Sequence, residues 1–234
     1  MNHILDVDDP FEEAFPIAID AATRFCRGRS NPDSLCLLYH CLWPRLRRIG
    51  VIGSSWLHAA NYIDTFRQAA LAGRNRILVS GSADYSLVSF ILHAFRSVSA
   101  EPEITVLDLC HAPLMLNRWY AERHNCQITT VAEDLLLYDN QQGFDFITTD
   151  NFLVFFELTK RKMIADKWNE LLRPAGRVVT AQRISPGRSD ETRSLTEAAV
   201  MRRISRIRKN AQRHAGALDV TEQELLRDAA RYYK

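Results

Sequence analysis

The stretch Arg76-Ile77-Leu78-Val79-Ser80-Gly81-Ser82-Ala83-Asp84-Tyr85-Ser86 constrains this chain more than any other. Ile77 to Val79 reads as a buried strand, and Ser80, Gly81 and Ser82 as a turn. After the turn the apolar period changes. Leu87, Val88, Phe90, Ile91, Leu92 and Phe95 recur at helical spacing up to Arg96. Strand, small-residue turn and helix in that order gather backbone N–H groups and a helix N-terminus in one place, a setting for a ligand's polar end.

The pattern repeats downstream. Strands are predicted over 76–80, 103–108, 127–131, 144–149 and 177–181, with helices over about 84–97, 113–124 and 158–172. Pro174 and Gly176 stop the last of these helices. Alternating strands and helices imply an α/β fold with a doubly wound, mostly parallel sheet. Residues 10–72 read as helical. One helix carries Phe11, Ala14, Phe15, Ile17 and Ala18 and ends near Gly28. A second is capped by Asn31 or Asp33 and interrupted at Pro44, and a third is capped at Ser54-Ser55. Tyr39, Trp43, Trp56 and Tyr62 either pack these helices onto a sheet edge or line a lid. After Pro186-Gly187, residues 190–214 and 221–233 are helical and polar. The basic run from Arg202 to Lys209 reads as a solvated face, with Ile204 and Ile207 forming an apolar stripe. The organisation expected is a helical extension or lid over 1–73, a core over 74–186 and a helical segment over 187–234.

Composition narrows the function classes. Apolar residues are 47% and charged residues 25%, with a formal net charge of +2, too near neutral to indicate a polyanion partner. No apolar run approaches the roughly 20 residues of a membrane span, and the acidic start lacks a secretory h-region. Five cysteines, an odd number without a CxxC pair, argue against a disulfide framework and a structural zinc site. Reduced thiols in a cytoplasmic protein are expected, and each cysteine reads as a packing residue. His111 and His124 join no other ligand-type residues by spacing, so no metal is expected. His40 or His58 could act as a base.

Carboxylates at strand ends carry the chemistry. Asp108 closes the second strand, where a doubly wound fold can present a carboxylate to both ribose hydroxyls of a nucleoside-containing cofactor. The spacing from Gly81 is somewhat longer than the roughly 20 residues of dinucleotide folds. A cap on the next helix is the alternative role. In Val131-Ala132-Glu133-Asp134-Leu135, Asp134 or Glu133 can meet an adenine amino group. Asp150-Asn151-Phe152 follows the fourth strand, beside the cofactor's reacting end.

From Arg76 to about Ile184, a little under half its length, the sequence resembles the class I S-adenosylmethionine-dependent methyltransferase family. LLRPAGRVVT is similar to the family's LLRPGGRLVT segment, and the strand-end acidic residues and FDFI follow in the family's order. The resemblance implies a Rossmann-like sheet binding S-adenosylmethionine. It places Gly81 at the methionine-facing turn, Asp108 on the ribose and Asp134 at the adenine. The implied cofactor-binding set is Ser80, Gly81, Ser82, Ala83, Asp84, Asp108, Leu109, Glu133, Asp134, Leu135 and Asp150, with Asp150, Asn151 and Tyr85 as catalytic residues. Three features depart from the family. Val79 stands where the family has an acidic residue, Ala83 and Tyr85 replace later glycines, and no sixth and seventh strands are found before Lys234. Asp84 or Asp150 could take over the contact to the methionine amino group. The function implied is methyl transfer to a small-molecule acceptor. One alternative is intramolecular cyclisation of the cofactor to azetidine-2-carboxylate with release of methylthioadenosine. Another is a non-catalytic binding module. A small-molecule substrate and a homodimer are expected partners, and neither nucleic acid nor a membrane is.

Overall fold

The computed structural model describes residues 7–53, 55–183 and 196–233. Five strands form one parallel sheet in the order β3-β2-β1-β4-β5. They are β1 (Arg76–Ser80), β2 (Glu103–Asp108), β3 (Ile128–Ala132), β4 (Phe144–Asp150) and β5 (Leu172–Ala181). Around them lie α1 (Phe11–Phe25), α2 (Leu35–Arg48), α3 (Ala59–Leu71), α4 (Ser86–Arg96), α5 (His111–Arg123), α6 (Leu158–Leu171), α7 (Glu197–Arg213) and α8 (Glu222–Tyr233). The fold is the doubly wound, Rossmann-like one the sequence implies. Strand order reverses between β1 and β4, the point where such sheets open a crevice.

Side-chain alternation on β1 explains the layers. Ile77 and Val79 point into a core with α3, α4 and α5, and Leu78 points into a second core with Ile164, Trp168 and Leu171 of α6. All three are fully buried, as expected of a central parallel strand covered on both faces. Phe146 belongs to the first core, yet Phe144, two residues earlier, belongs to the second. The ladder to β5 shifts register over the same stretch. Phe144 pairs with Leu172, but Phe146 pairs with Arg177. The extra β5 residues include Pro174, Gly176 and Ala175, which has φ +62°. The regular ladder therefore begins at Arg177, as predicted, although the strand starts at Leu172.

A third core is wholly helical. Leu42, Leu46 and Ile49, from α2 and its C-terminus, pack with Ile207 and Ala211 of α7 and with Leu225 and Ala229 of α8. Ile207 is buried while Arg202, Arg203, Arg206, Arg208 and Lys209 are exposed, so the basic run is the outer face of a packed helix.

Several local expectations are corrected. Pro44 does not interrupt α2, which runs through it to Arg48. A proline forfeits one backbone bond, and here the packing of Leu42 and Leu46 holds the turn together. Ser34, not Asn31 or Asp33, occupies the cap position of α2, because Asn31 Oδ1 instead accepts from Asp33 N–H at 3.0 Å. Ser55 opens a short 3-10 helix ending at His58, which precedes α3. Ser54, Ile184, Pro186 and Gly187 lie outside the described residues, as do 190–195 of the predicted C-terminal helix. Among the described residues no strand follows Ala181.

Candidate functional site

The carboxyl ends of β1, β2 and β3 open onto a cleft with about 490 Å³ of empty space. Ser80, Gly81, Asp108, Leu109, Glu133, Asp134 and Leu135, seven of the predicted cofactor-binding residues, line it. Their convergence follows from the parallel register, which aligns Ser80 with Leu107 and Asp108 with Ala132.

Gly81 turns the chain at φ +76°, a left-handed conformation that side chains disfavour. A Cβ there would lie 2.5 Å from the Phe152 ring. The Gly81 backbone is therefore bare on the side where Phe152 closes over it. Asp108 accepts from Ser82 N–H at 3.0 Å through Oδ2 and from Cys110 N–H at 2.8 Å through Oδ1. The second bond is a turn across two residues and not a helix cap, since Cys110 itself holds the N-cap position of α5 and no side chain caps that helix. Each oxygen keeps a lone pair for a further donor. Burial pushes the Asp108 carboxyl above its ordinary range, and the two N–H bonds oppose the shift. Asp134 Oδ1 accepts from Leu136 N–H at 3.0 Å, which fixes the turn after β3. Glu133 is exposed. Ser80 is buried, and its Oγ accepts from Trp168 Nε1 at 3.0 Å, so its side chain braces β1 against α6.

Other predicted residues lie elsewhere. Ala83, Asp84 and Tyr85 line a second cavity beneath α1 and α2, together with Trp43 and Arg47. Asp84 pairs with Arg47 at 3.0 Å and accepts from Ser86 N–H at 2.9 Å, so it is engaged in structure. Arg47 also binds Asp9 at 2.6 Å, and Tyr85 Oη donates to Asp9 Oδ1 at 2.6 Å. Tyr85 thus stands apart from the cleft over β1, β2 and β3. The residue is buried, and its ring stacks on Tyr120 at 4.7 Å with a 4° interplanar angle, so that face is taken. Ser82 accepts from buried Asn117 at 3.1 Å, which staples the turn to α5.

Asp150 and Asn151 sit at the end of β4. Asp150 Oδ2 is 3.2 Å from the Tyr62 hydroxyl, which donates to the Thr149 carbonyl at 2.8 Å and accepts from Ala181 N–H at 2.7 Å. Burial raises the Asp150 carboxyl above its ordinary range. Asn151 is left-handed, at φ +50°, and its Oδ1 accepts from Arg183 N–H at 2.8 Å. Tyr62 stacks with Phe66 and Phe90, and Trp56 packs edge-on to Phe90, so these two aromatics belong to the core. The other two do not. Tyr39 contacts Trp43, Phe155 of the 3-10 helix after β4, and Tyr232 of α8. Burial raises the Tyr39 hydroxyl well above its ordinary range, with Tyr232, Asp84, Asp108 and Asp150 adding to the shift. Sequence reasoning missed Tyr232, Phe155 and Arg47, because their partners are remote in sequence.

His111 and His124 join no cluster of ligand-type residues among the described residues, but His40, read above as a possible base, does. Cys26, Cys36, His40 and Cys110 form one cluster whose ligand atoms all lie within 4.8 Å of one another. The Cys26 thiol donates to Cys36 Sγ at 3.4 Å, and both thiols are free.

No protein-family model matches the chain, and no curated protein matches it. Similar solved structures include the N-methyltransferase NodS from Bradyrhizobium japonicum in complex with S-adenosyl-L-homocysteine. It is 18% identical with TM-score 0.42, and the match covers 52% of this chain and 60% of that one. A second is a SAM-bound amino pentose methyltransferase from Micromonospora echinaspora involved in calicheamicin biosynthesis, at 21% identity and TM-score 0.47, covering 63% and 58%. A third is magnesium protoporphyrin IX methyltransferase from Synechocystis with bound SAM, at 12% identity and TM-score 0.45, covering 82% and 85%. The chain spans about three fifths of the length of the first two. These likenesses assign no residue and no substrate to this chain.

Proposed function

We propose that this chain is an S-adenosylmethionine-dependent enzyme of the methyltransferase family that transfers a methyl group to a small-molecule acceptor. The observation that carries the reading is the convergence of Gly81, Asp108 and Asp134 on one cleft at the carboxyl edge of a parallel sheet. Asp108 would accept from the ribose hydroxyls. Asp134, with one carboxylate oxygen free of the Leu136 bond, would accept from the adenine amino group, and Leu109 and Leu135 would flank the base. Gly81, which lines the cleft with Phe152 over its backbone, would face the methionine portion. Residues 74–186 are taken as the cofactor-binding unit and 187–234 as the helical segment that follows it.

The bound cofactor supplies an electrophilic methyl group on a sulfonium centre. The chain's own work is alignment and exclusion of water. Asp150 and Asn151 stand at the reacting end in this reading, where Asp150 would accept from an ammonium group. Tyr39, Trp43, Phe155 and Tyr232 supply an apolar roof, so the segment 1–73 acts as a lid completed by α8. An aromatic face also suits a cationic centre. Among the described residues no helix is long and apolar enough to cross a membrane. Five free thiols suit the cytoplasm, and β5, an edge strand among the described residues, suits a homodimer.

Incubation with S-adenosylmethionine, with and without candidate acceptors, tests the reading. S-adenosylhomocysteine formed only with an acceptor supports methyl transfer. Methylthioadenosine formed without one would replace it with cyclisation. Binding without any turnover would leave a cofactor-binding module.

A further inference from the structure

The four residues Cys26, Cys36, His40 and Cys110 come from three separate elements. Cys26 ends α1, Cys36 and His40 lie one turn apart on α2, and Cys110 precedes α5. Cys26 and Cys110 are almost fully buried, and Cys36 and His40 are partly so. Their ligand atoms lie within 4.8 Å of one another, and Cys26 Sγ is 3.4 Å from Cys36 Sγ. A tetrahedral zinc ion with Zn–S of about 2.3 Å and Zn–N of about 2.0 Å separates its ligand atoms by roughly 3.5–3.8 Å. The cluster therefore needs only small side-chain rotations to close on one ion.

We propose that Cys26, Cys36, His40 and Cys110 bind a structural zinc ion that fastens α1 and α2 to the start of α5. The donor set is soft: three thiolates and one imidazole select zinc over magnesium or calcium. Four protein ligands leave no open position, which marks a structural rather than a catalytic site. Backbone support is present as well, since Gly28 N–H donates to Cys26 Sγ at 3.4 Å. Ala21 and Ala112 are buried beside the sulfurs, and Phe25, Leu37 and Met115 pack against them. The connection between α1 and α2, residues 27–34, is mostly exposed and carries no buried apolar anchor. Arg231 of α8 holds Asp33 at 2.9 Å and the Pro32 carbonyl at 2.8 Å, and a metal would add a buried anchor beside this exposed polar one. The proposal does not depend on the cofactor reading.

The test is metal analysis of the full chain, expressed without a polyhistidine tag and purified under reducing conditions. One zinc per chain is expected, with an X-ray absorption spectrum fitting three sulfurs at about 2.3 Å and one nitrogen at about 2.0 Å. Cobalt replacement should give thiolate-to-metal charge-transfer absorption and tetrahedral d–d bands. Cys36→His should keep the metal with two sulfurs and two nitrogens. Cys41→Ser and Cys126→Ser, which alter the two cysteines outside the cluster, should keep the wild-type spectrum. Cooperatively folded protein that takes up no zinc when zinc is supplied would overturn the proposal. So would five freely reactive thiols in the presence of zinc, or a sulfur count unchanged in Cys36→His.

Discussion

Cys110 N–H donates to Asp108 Oδ1 at 2.8 Å, so a residue of the thiol cluster also holds the carboxylate that faces the cleft. The two sites share one β-α connection, and ordering at one constrains the other. Protein stripped of zinc by a chelator should bind S-adenosylhomocysteine several-fold more weakly, with recovery when zinc is restored. Calorimetry on both forms measures this. Equal affinities would separate the two sites energetically.

Gly81→Ala meets two obstacles, the left-handed φ and the Phe152 ring. A loss of about 1–3 kcal/mol in unfolding free energy is expected, with weakened cofactor binding. Because Phe152→Ala alone forfeits packing on Phe156 and Trp168, the clash is read from the cycle: Gly81→Ala should cost less in the Phe152→Ala background than in wild type, with the strain remaining. Denaturant melts across the cycle give the comparison.

Asp150 carries a stability signature that depends on pH. Burial raises its folded-state pKa above the ordinary 3.8, so the folded chain binds more protons than the unfolded chain just above that value. Its ionised form therefore costs stability, and the cost grows as pH rises through the window above 3.8. The groups around it are Tyr62, which stays protonated, Asn151, and more remotely His58 and Asp84. Asp150→Asn should match wild type in thermal stability near pH 4 and exceed it at neutral pH, while turnover falls. A variant less stable than wild type at neutral pH would contradict this.

Tyr85→Phe separates a core role from a catalytic one. It removes the hydrogen bond to Asp9, for which about 1.5–3 kcal/mol is the scale of a bond to a charged acceptor. The melting temperature should fall while kcat stays within about twofold of wild type, a shift of about 0.4 kcal/mol in the barrier. A large fall in kcat with unchanged stability would return Tyr85 to the reacting centre.

The core of this fold is legible in the sequence where the signals are local. The run Ile77 to Val79, the period change after Ser86 and the carboxylate closing β2 each depend on a few consecutive residues, and all three appear as read. The burial of Tyr85 is not legible, because it adjoins the turn while its partners Asp9 and Tyr120 are remote in sequence. The thiol cluster is illegible for the same reason. Only Cys36 and His40 are at helical spacing, and Cys26 and Cys110 join them through the packing of α1 on α5. Pro44 reads as a break, and only the third core, assembled from α2, α7 and α8, shows why the helix continues.

The central claim is that an adenosyl sulfonium cofactor occupies the cleft over β1, β2 and β3, held by Asp108. The most direct measurement is calorimetric titration of S-adenosylhomocysteine into wild type and Asp108→Ala. Saturable one-to-one binding to wild type, weakened by about 1.5–3 kcal/mol in the variant, is the predicted result. No binding to wild type, or equal affinity for a folded Asp108→Ala protein, would contradict it.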